Sequence, residues 1–387
     1  MVEIKLVVKS LKDALTLTKK ALPKLVLQQE RGHLLFKVTG QRLRVSATNN
    51  DAKAFYDIAL LEPTEDISFT ADPKVLEKVL AKIRVPSISL EYAPEEYLLK
   101  VYTTETKKSF TSLQSFPPEK MLTFTEDSIG TESDLHTIGK EDLLGALMFS
   151  LRYLAPLKED KKQYDFVIIN KGIVYAANGL NKMGFFVSPV FGKFLNVKIR
   201  KIMVPSLAKV LKETEGTLVE IYSTENELGI KDPSGVWSFS ALKSNVESPK
   251  IVTDFIKTED PFTKVNRNKL AAVLERVVAS NTSNNGSALD ICLSGKEGAS
   301  TLTFSLISDL KSVEELSCER VKDPIEEDVS HVIEYGLFKA ILDSVEGDDI
   351  KLYVNTEGKF FRIMSVVERN GAKCLMAGIG SYSKVVR

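Results

Sequence analysis

Histidine, cysteine and clustered carboxylate side chains carry most acid–base, nucleophilic and metal chemistry in proteins, and this sequence has few of them. Its histidines and cysteines are far apart and have no CxxC spacing: His33, His136, His331, Cys292, Cys318 and Cys374. Paired carboxylates such as Asp348 and Asp349 fall in predicted loops without a histidine or second carboxylate in register. The sequence has no P-loop, GxSxG or HExxH motif. We therefore expect no catalytic residue, no metal site and no cofactor.

Length and composition restrict the class of protein. A chain of 387 residues with 43% hydrophobic residues is too long for one ordinary core and suits two or three domains. No apolar run approaches the roughly 20 residues that span a membrane. The first six residues are predicted to form a strand rather than a leader peptide. Because scattered cysteines fit a reducing compartment, we expect a cytoplasmic protein with no membrane partner.

Three segments of the chain share one pattern at nearly constant spacing. Tyr92, Tyr222 and Tyr353 lie 130 and 131 residues apart, each in a run that alternates apolar and polar residues as a half-buried strand does. A short amphipathic helix precedes each run, and another helix opens each segment. The apolar triplets of these helices are Leu76-Val79-Leu80, Leu207-Val210-Leu211, Phe338-Ile341-Leu342, Leu11-Ala14-Leu15, Leu143-Ala146-Leu147 and Leu270-Val273-Leu274.

This repetition predicts three tandem α+β domains. We place them at residues 1–128, 129–256 and 257–387. Polar linkers without a helix or strand pattern are predicted at 126–137 and 248–261.

Charge is distributed unevenly along the chain, although 52 basic and 52 acidic residues balance overall. The six predicted helices hold 19 basic and 7 acidic residues. Helices that face one way would form a positive surface, and the rest of the chain would be negative. That arrangement suits a protein that surrounds a polyanion and contacts phosphates without sequence preference. Lys78 and Lys82 of the second predicted helix are candidate DNA contacts.

Several local motifs, in order along the whole chain, resemble the bacterial DNA polymerase III beta subunit, the sliding clamp. The helix start Ala71–Leu76 and the stretch Phe110–Pro118 are similar to the family's first domain. Ala176–Met183 is similar to a second-domain loop, and Ala372–Ile379 to the closing apolar strand. The sequence departs from the family at Asn178, Asn181, Lys182 and Met183, and residues 380–387 replace the family's usual ending.

The resemblance implies a fold and a role. The fold would be three tandem copies of the DNA-clamp fold, with helices on one face of antiparallel sheets. Two chains would join head to tail as a homodimeric ring around double-stranded DNA, bind it without sequence specificity, and be opened by a clamp loader. The ring would tether a DNA polymerase as a processivity factor and would have no catalytic activity of its own.

The resemblance also assigns residues. It places the partner-peptide pocket at Tyr164, Phe166, Lys182, Met183, Pro249, Leu375, Met376 and Ala377. It adds DNA contacts at Lys24, Lys161, Lys162 and Gln163. It places Phe110 and Val278 at the dimer interface.

Two other interpretations stay open from the sequence. One is a scaffold protein of α+β repeats that does not bind DNA, although it gives no reason for the positive helices. The other is a trimeric clamp with two domains in each chain, which would need two units where three are present.

Overall fold

The computed structural model describes residues 2–22, 32–49, 51–103, 109–121, 135–154, 166–178, 182–192, 195–224, 227–232, 235–243, 263–279, 288–296, 299–307, 312–320, 330–355, 359–369, 371–381 and 383–385. These residues form two compact units. The first comprises Met1–Thr137 and Lys209–Lys243, and the second comprises Ile138–Ala208 and Ser244–Arg387. The architecture is α+β, as the sequence predicts.

The chain begins with a strand, a helix, four strands, a second helix and three strands. The helices are α1 (Val8–Thr18) and α2 (Pro73–Lys82). The strands are β1 (Val2–Val7), β2 (Leu34–Thr39), β3 (Arg42–Thr48), β4 (Ala52–Ala59), β5 (Ile67–Ala71), β6 (Ser87–Ala93), β7 (Leu98–Tyr102) and β8 (Phe110–Gln114).

The same order of elements follows twice more. The next copy has α3 (Lys140–Leu151) and α4 (Val204–Glu213), with β9 (Leu135–Gly139), β10 (Phe166–Asn170), β11 (Ile173–Asn178), β12 (Lys182–Val187), β13 (Val197–Arg200), β14 (Leu218–Ser223), β15 (Glu227–Asp232), β16 (Gly235–Ser240) and a short β17 (Leu242–Lys243). The last copy has α5 (Arg267–Ala279) and α6 (Tyr335–Leu342), with β18 (Thr263–Asn266), β19 (Ala288–Lys296), β20 (Ala299–Ile307), β21 (Val313–Arg320), β22 (Ser330–Glu334), β23 (Asp349–Asn355), β24 (Phe360–Arg369), β25 (Ala372–Ser381) and β26 (Ser383–Val385).

Helix α2 shows how local sequence starts these helices. The Asp72 side chain accepts a hydrogen bond from the Lys74 backbone N–H at 2.8 Å, and Pro73 occupies the first turn. Both features favour a helix start, since the cap satisfies a free N–H group and proline lacks one. Leu76 and Leu80 are fully buried, as their spacing predicts, while Val79 is half-buried.

The sheets are antiparallel and repeat one rule of connection. In the first unit, one sheet has the order β1-β6-β7-β8, and another runs β5-β2-β3-β4-β16-β15-β14. In the second unit, the order is β13-β10-β11-β12-β25-β24-β23-β18-β21-β20-β19-β22-β26. We call the three strands after the second helix of each copy its closing strands. In both units, the third strand after the opening helix of one copy pairs with the last closing strand of the next copy. These pairs are β4 with β16 and β12 with β25.

In the part of the chain that the structure describes, two strands at equivalent positions lack such a partner. Within the described residues, β8 pairs with β7 alone. Strand β21 pairs with β20 from Val313 to Cys318, and on its other side, as far as the structure describes the chain, only Glu319 and Arg320 pair with β18. If the pattern that joins β4 to β16 and β12 to β25 continued, β21 would pair with the last closing strand of another copy. Strand β8, which is such a closing strand, would pair with the third strand after an opening helix.

The observed helix bounds correct two expectations. Some predicted helices extend past the observed ends: Lys19 and Lys20 lie in a short 3₁₀-helix after α1, and Arg152 lies in a turn after α3. Within the observed helices we count 12 basic and 6 acidic residues, so the positive excess is half of that expected. The predicted linker 126–137 also overlaps β9, which begins at Leu135, while the linker 248–261 and the domain boundaries near 128 and 256 lie outside the described residues.

Candidate functional site

One face of the sheet in the second unit is apolar and only partly covered. Buried side chains on this face form a cluster of Ile173, Tyr175, Phe185, Ala377 and Ile379. Half-buried side chains pack against it: Ile168, Met183, Val187, Phe360, Met364 and Leu375. Because side chains alternate along a strand, the intervening residues of β11, β12 and β25 point to the opposite face. We call the cluster and its half-buried neighbours the docking face.

The sheet register brings together part of the predicted peptide pocket. Strands β12 and β25 pair with Met183 opposite Ile379, Phe185 opposite Ala377 and Val187 opposite Leu375. Met183, Leu375 and Ala377 therefore share the docking face. Phe166 is two residues before Ile168 on β10, so it projects to the same face, where the Lys198 ammonium lies 4.0 Å from its ring centre.

Other predicted pocket residues are placed elsewhere. Met376 is 1% exposed and alternates away from Leu375 and Ala377, so it belongs to the core beneath the sheet. Lys182 also projects to the opposite face, with its ammonium 5.2 Å from the Tyr153 ring centre. Burial lowers the pKa of Lys182, and the neighbouring Arg152 lowers it further. Tyr164 and Pro249 lie outside the described residues.

A groove of about 660 Å³ adjoins the docking face, with Leu375 and Met364 as shared lining. Val366, which is 54% exposed, lines it further along β24. The other side of the groove is polar, with Lys264 and Lys351 beside Glu319 and Asp349. Met364 and Val366 were not predicted as site residues, because β24 has apolar residues on both faces and its alternation does not identify the exposed one.

A tyrosine beneath the docking face holds β12 and β25 together. Gly184 and Gly378 are opposite each other across the two strands. The Tyr153 ring occupies the space that a Cβ would need at Gly184, and the Tyr153 hydroxyl and Ile341 occupy that space at Gly378. Tyr153 is fully buried, and its hydroxyl hydrogen-bonds Ser344 just beyond α6. This packing fixes the register that places Met183 and Leu375 on one face.

Exposed lysines occur on several helices. Lys9 and Lys12 of α1 are exposed, as are Lys209 and Lys212 of α4. Lys20 follows α1 and is mostly buried, forming an ion pair with Glu213. Burial is the main cause that lowers the Lys20 pKa, opposed by Glu213. The predicted DNA contacts Lys24, Lys161, Lys162 and Gln163 lie outside the described residues.

Lys78 and Lys82 lie on α2 beside the unpaired edge of β8. They line a groove of about 550 Å³ with Val75, Val79, Ile83, Arg84, Val85, Thr103 and Thr111, the last of which is on β8 itself. Val75 and Val85 are exposed apolar residues. Phe110, at the start of β8, is 52% exposed and contacts Tyr102, with ring centres 5.5 Å apart. This edge is therefore apolar and basic.

The free edge of β21 has complementary features. Val313 at its start is 53% exposed. Glu314 accepts hydrogen bonds from Arg276 at 2.9 and 3.1 Å, and Glu315 is exposed. Val278, predicted at the dimer interface, is half-buried near the end of α5. This edge is therefore apolar and mainly acidic.

Metal chemistry finds no support in the described part of the chain. There, no three His, Cys, Asp or Glu side chains come close enough to hold a metal ion. No helix in the same residues is long and apolar enough to cross a membrane.

No protein-family model and no curated protein sequence matches the chain, but solved structures do. The DNA polymerase sliding clamp from Caulobacter crescentus matches with a TM-score of 0.75 at 13% identity, over 99% of this chain and 100% of that one. The DNA polymerase III beta subunit from Thermotoga maritima matches with a TM-score of 0.73 at 14% identity over the whole of both chains. A putative beta subunit from Eubacterium rectale reaches 0.77 at 11% identity, over 99% of this chain and 100% of that one. These matches confirm the fold inferred from the sequence motifs.

Proposed function

We propose that this chain, which has the fold of DNA sliding clamps, is itself a sliding clamp that encircles duplex DNA as a head-to-tail homodimer. The observation that supports this most strongly is the pair of unfilled strand positions at β8 and β21. Strands β4 and β12 each pair with the closing strand of the following copy. A second chain that supplies β8 to β21 would extend the same rule across two molecules.

Two such contacts close a ring. In a twofold dimer, β21 of each chain would meet β8 of the other, and no strand edge of this kind would stay open. The exposed Phe110 and Val313 would be buried there. The basic groove of Lys78 and Lys82 would meet the mainly acidic edge of β21, which favours head-to-tail over head-to-head association.

This position changes the role that we propose for two lysines. Lys78 and Lys82 were predicted to contact DNA, but they line a groove whose wall includes β8. We therefore propose that they act in ring closure. The exposed lysines of α1 and α4, together with the predicted contacts Lys24, Lys161, Lys162 and Gln163, would bind phosphates without sequence preference.

The proposed clamp has no catalytic role. It would act in the cytoplasm, be opened by a clamp loader, and keep a DNA polymerase close to its template. The docking face is the proposed attachment point. Met183, Leu375 and their neighbours offer soft, adaptable side chains around a concave apolar surface, which suits short peptides with apolar anchors.

DNA retention tests the topological part of the proposal. We would load the full chain onto a nicked circular duplex and onto the same duplex made linear, then wash at high salt. The proposal predicts retention on the circle and loss from the linear ends, because salt weakens phosphate contacts but not a topological link. Equal loss from both forms would refute encirclement, and no association with either form at low salt would favour a scaffold that does not bind DNA.

A further inference from the structure

Tyr175 lies at the centre of the docking face and is unusual among the buried tyrosines. It is 5% exposed, and it stands between Ile168 of β10 and Phe185 of β12 in the sheet. Its hydroxyl is shielded from solvent and has no hydrogen-bond partner among the described residues. A buried hydroxyl without a partner costs stability, so most are paired.

The other buried tyrosines of the described chain show the usual arrangement. The Tyr153 hydroxyl bonds to Ser344. Burial raises the pKa of Tyr92 and of Tyr222, and a neighbouring serine hydroxyl opposes this in each case, Ser115 for Tyr92 and Ser238 for Tyr222. Tyr102 reaches Glu91 at 3.4 Å. The fold therefore supplies a partner for a tyrosine hydroxyl at four positions and leaves Tyr175 without one on the surface proposed for docking.

A phenylalanine would fill the same apolar site without an unpaired polar atom. Packing among the described residues thus does not explain the hydroxyl of Tyr175. Burial raises the pKa of Tyr175 to about 12, which keeps the hydroxyl neutral and able to donate near pH 7. The half-buried Met183, Met364 and Leu375 pack against the same cluster, and methionine changes rotamer readily, so an entering ligand can reach the hydroxyl.

We propose that Tyr175 is a specificity-determining residue of the docking face, whose hydroxyl donates a hydrogen bond to an acceptor on the bound peptide. The inference rests on the proposed docking function. The ligand class is a short peptide with apolar anchors and, between or beside them, a Gln, Asn, Asp or Glu side chain whose oxygen accepts the bond. A site built to satisfy a polar group rejects ligands that lack the partner.

The test uses a displayed library of random ten-residue peptides, selected on the full-length protein. The wild type should enrich peptides with apolar anchors and an acceptor residue at a fixed position. Tyr175→Phe should keep the apolar anchors and lose the acceptor preference, with about tenfold weaker binding of the wild-type-selected peptides. Its resistance to urea should be unchanged or higher, because no internal hydrogen bond is lost.

Tyr222→Phe is the matched control. It removes a hydroxyl that has an internal partner in the first unit, so it should lower urea resistance and leave the selected peptides unchanged. If the Tyr175→Phe protein selects the same acceptor, or the wild type selects apolar anchors alone, the role of Tyr175 is refuted. If selected peptides bind Met183→Ala, Leu375→Ala protein as tightly as wild type, the docking face itself is refuted.

Discussion

The paired strands β12 and β25, which we call the β12–β25 seam, and the free edges of β8 and β21 occupy equivalent positions in the repeated strand pattern. They differ in whether a neighbouring strand covers them. At the seam, Tyr153 fills the space above Gly184 and Gly378 and bonds to Ser344. Phe110 and Val313 at the edges are instead about half exposed. Packing within the chain therefore locks the seam, whereas the edges leave apolar residues exposed, which the proposed ring would bury.

The β4–β16 seam is a third case, with less apolar locking. Lys53 on β4 pairs with Glu227 on β15 next to the seam, and Leu17 and Tyr56 approach Gly235. Ion pairs contribute less than buried packing. We therefore expect the effects of mutations to decrease in a fixed order. Loss of packing at the β12–β25 seam comes first, then loss of apolar contacts at the free edges, reversal of charge at those edges, and removal of the ion pair at the β4–β16 seam.

Removing the Tyr153 ring should have the largest effect. Tyr153→Ala would leave a cavity under the β12–β25 seam and destabilise the second unit by about 3–5 kcal/mol, as other large aromatic truncations do. Tyr153→Phe, which loses only the bond to Ser344, should cost about 1 kcal/mol. Urea denaturation of the full chain measures both. Equal, small losses for the two variants would mean that the ring does not lock the seam.

Charged residues at the free edges should separate the chains without unfolding them. Phe110→Asp or Val313→Asp removes apolar burial of roughly 1–3 kcal/mol at each contact, and Val278→Asp should act in the same direction. Because Phe110 and Val313 are exposed in one chain, thermal stability at low concentration should change little. Sedimentation gives the dimer fraction.

Val366→Asp is the control for that experiment, since Val366 is equally exposed but lies on the groove beside the docking face. It should leave the dimer intact. A dimer that survives Phe110→Asp combined with Val313→Asp would place the interface elsewhere.

Reversing charge at the edges should have a moderate, salt-dependent effect. Lys78→Glu with Lys82→Glu should weaken dimerisation by about 1–2 kcal/mol at low salt, at the usual size of exposed ion pairs. Glu314→Lys with Glu315→Lys in the same chain should restore it. Light scattering at two salt concentrations measures the fraction of dimer for each variant. If the Lys78→Glu, Lys82→Glu variant dimerises normally but loses DNA binding, the two lysines contact DNA, as the sequence analysis predicts.

The smallest effect is expected at the β4–β16 seam. A double-mutant cycle of Lys53→Met and Glu227→Gln should give a coupling of about 0.2–1 kcal/mol by urea denaturation, because the pair remains partly solvated. A coupling above about 3 kcal/mol would show that charge locks this seam as firmly as Tyr153 locks the other.

Much of the fold was predictable because its signals are local. The i, i+3, i+4 triplets such as Leu76-Val79-Leu80 located all six described helices, and strand alternation located β6, β14 and β23. Helix ends were less predictable, since a lysine such as Lys19, which lies in a short 3₁₀-helix after α1, does not mark where an α-helix ends. The boundaries between the three domains stay a prediction.

The candidate site was predictable only in part, because pairing between distant strands decides it. The apolar stretch Leu375–Ala377 identified β25, but its sequence does not tell which of its residues face outward. That follows from the pairing of Val187 with Leu375 and Phe185 with Ala377, and it moves Met376 into the core. Similarly, tertiary packing brings Lys78 and Lys82 next to β8, and the sequence does not show this proximity.

Molar mass in solution tests the central claim most directly. Static light scattering of the full chain across micromolar concentrations should give twice the 43.0 kDa of one chain and no further growth, because two β8–β21 contacts close the ring. A mass of one chain at every concentration would contradict the account. Masses that rise without limit would show that the edges join chains into an open filament.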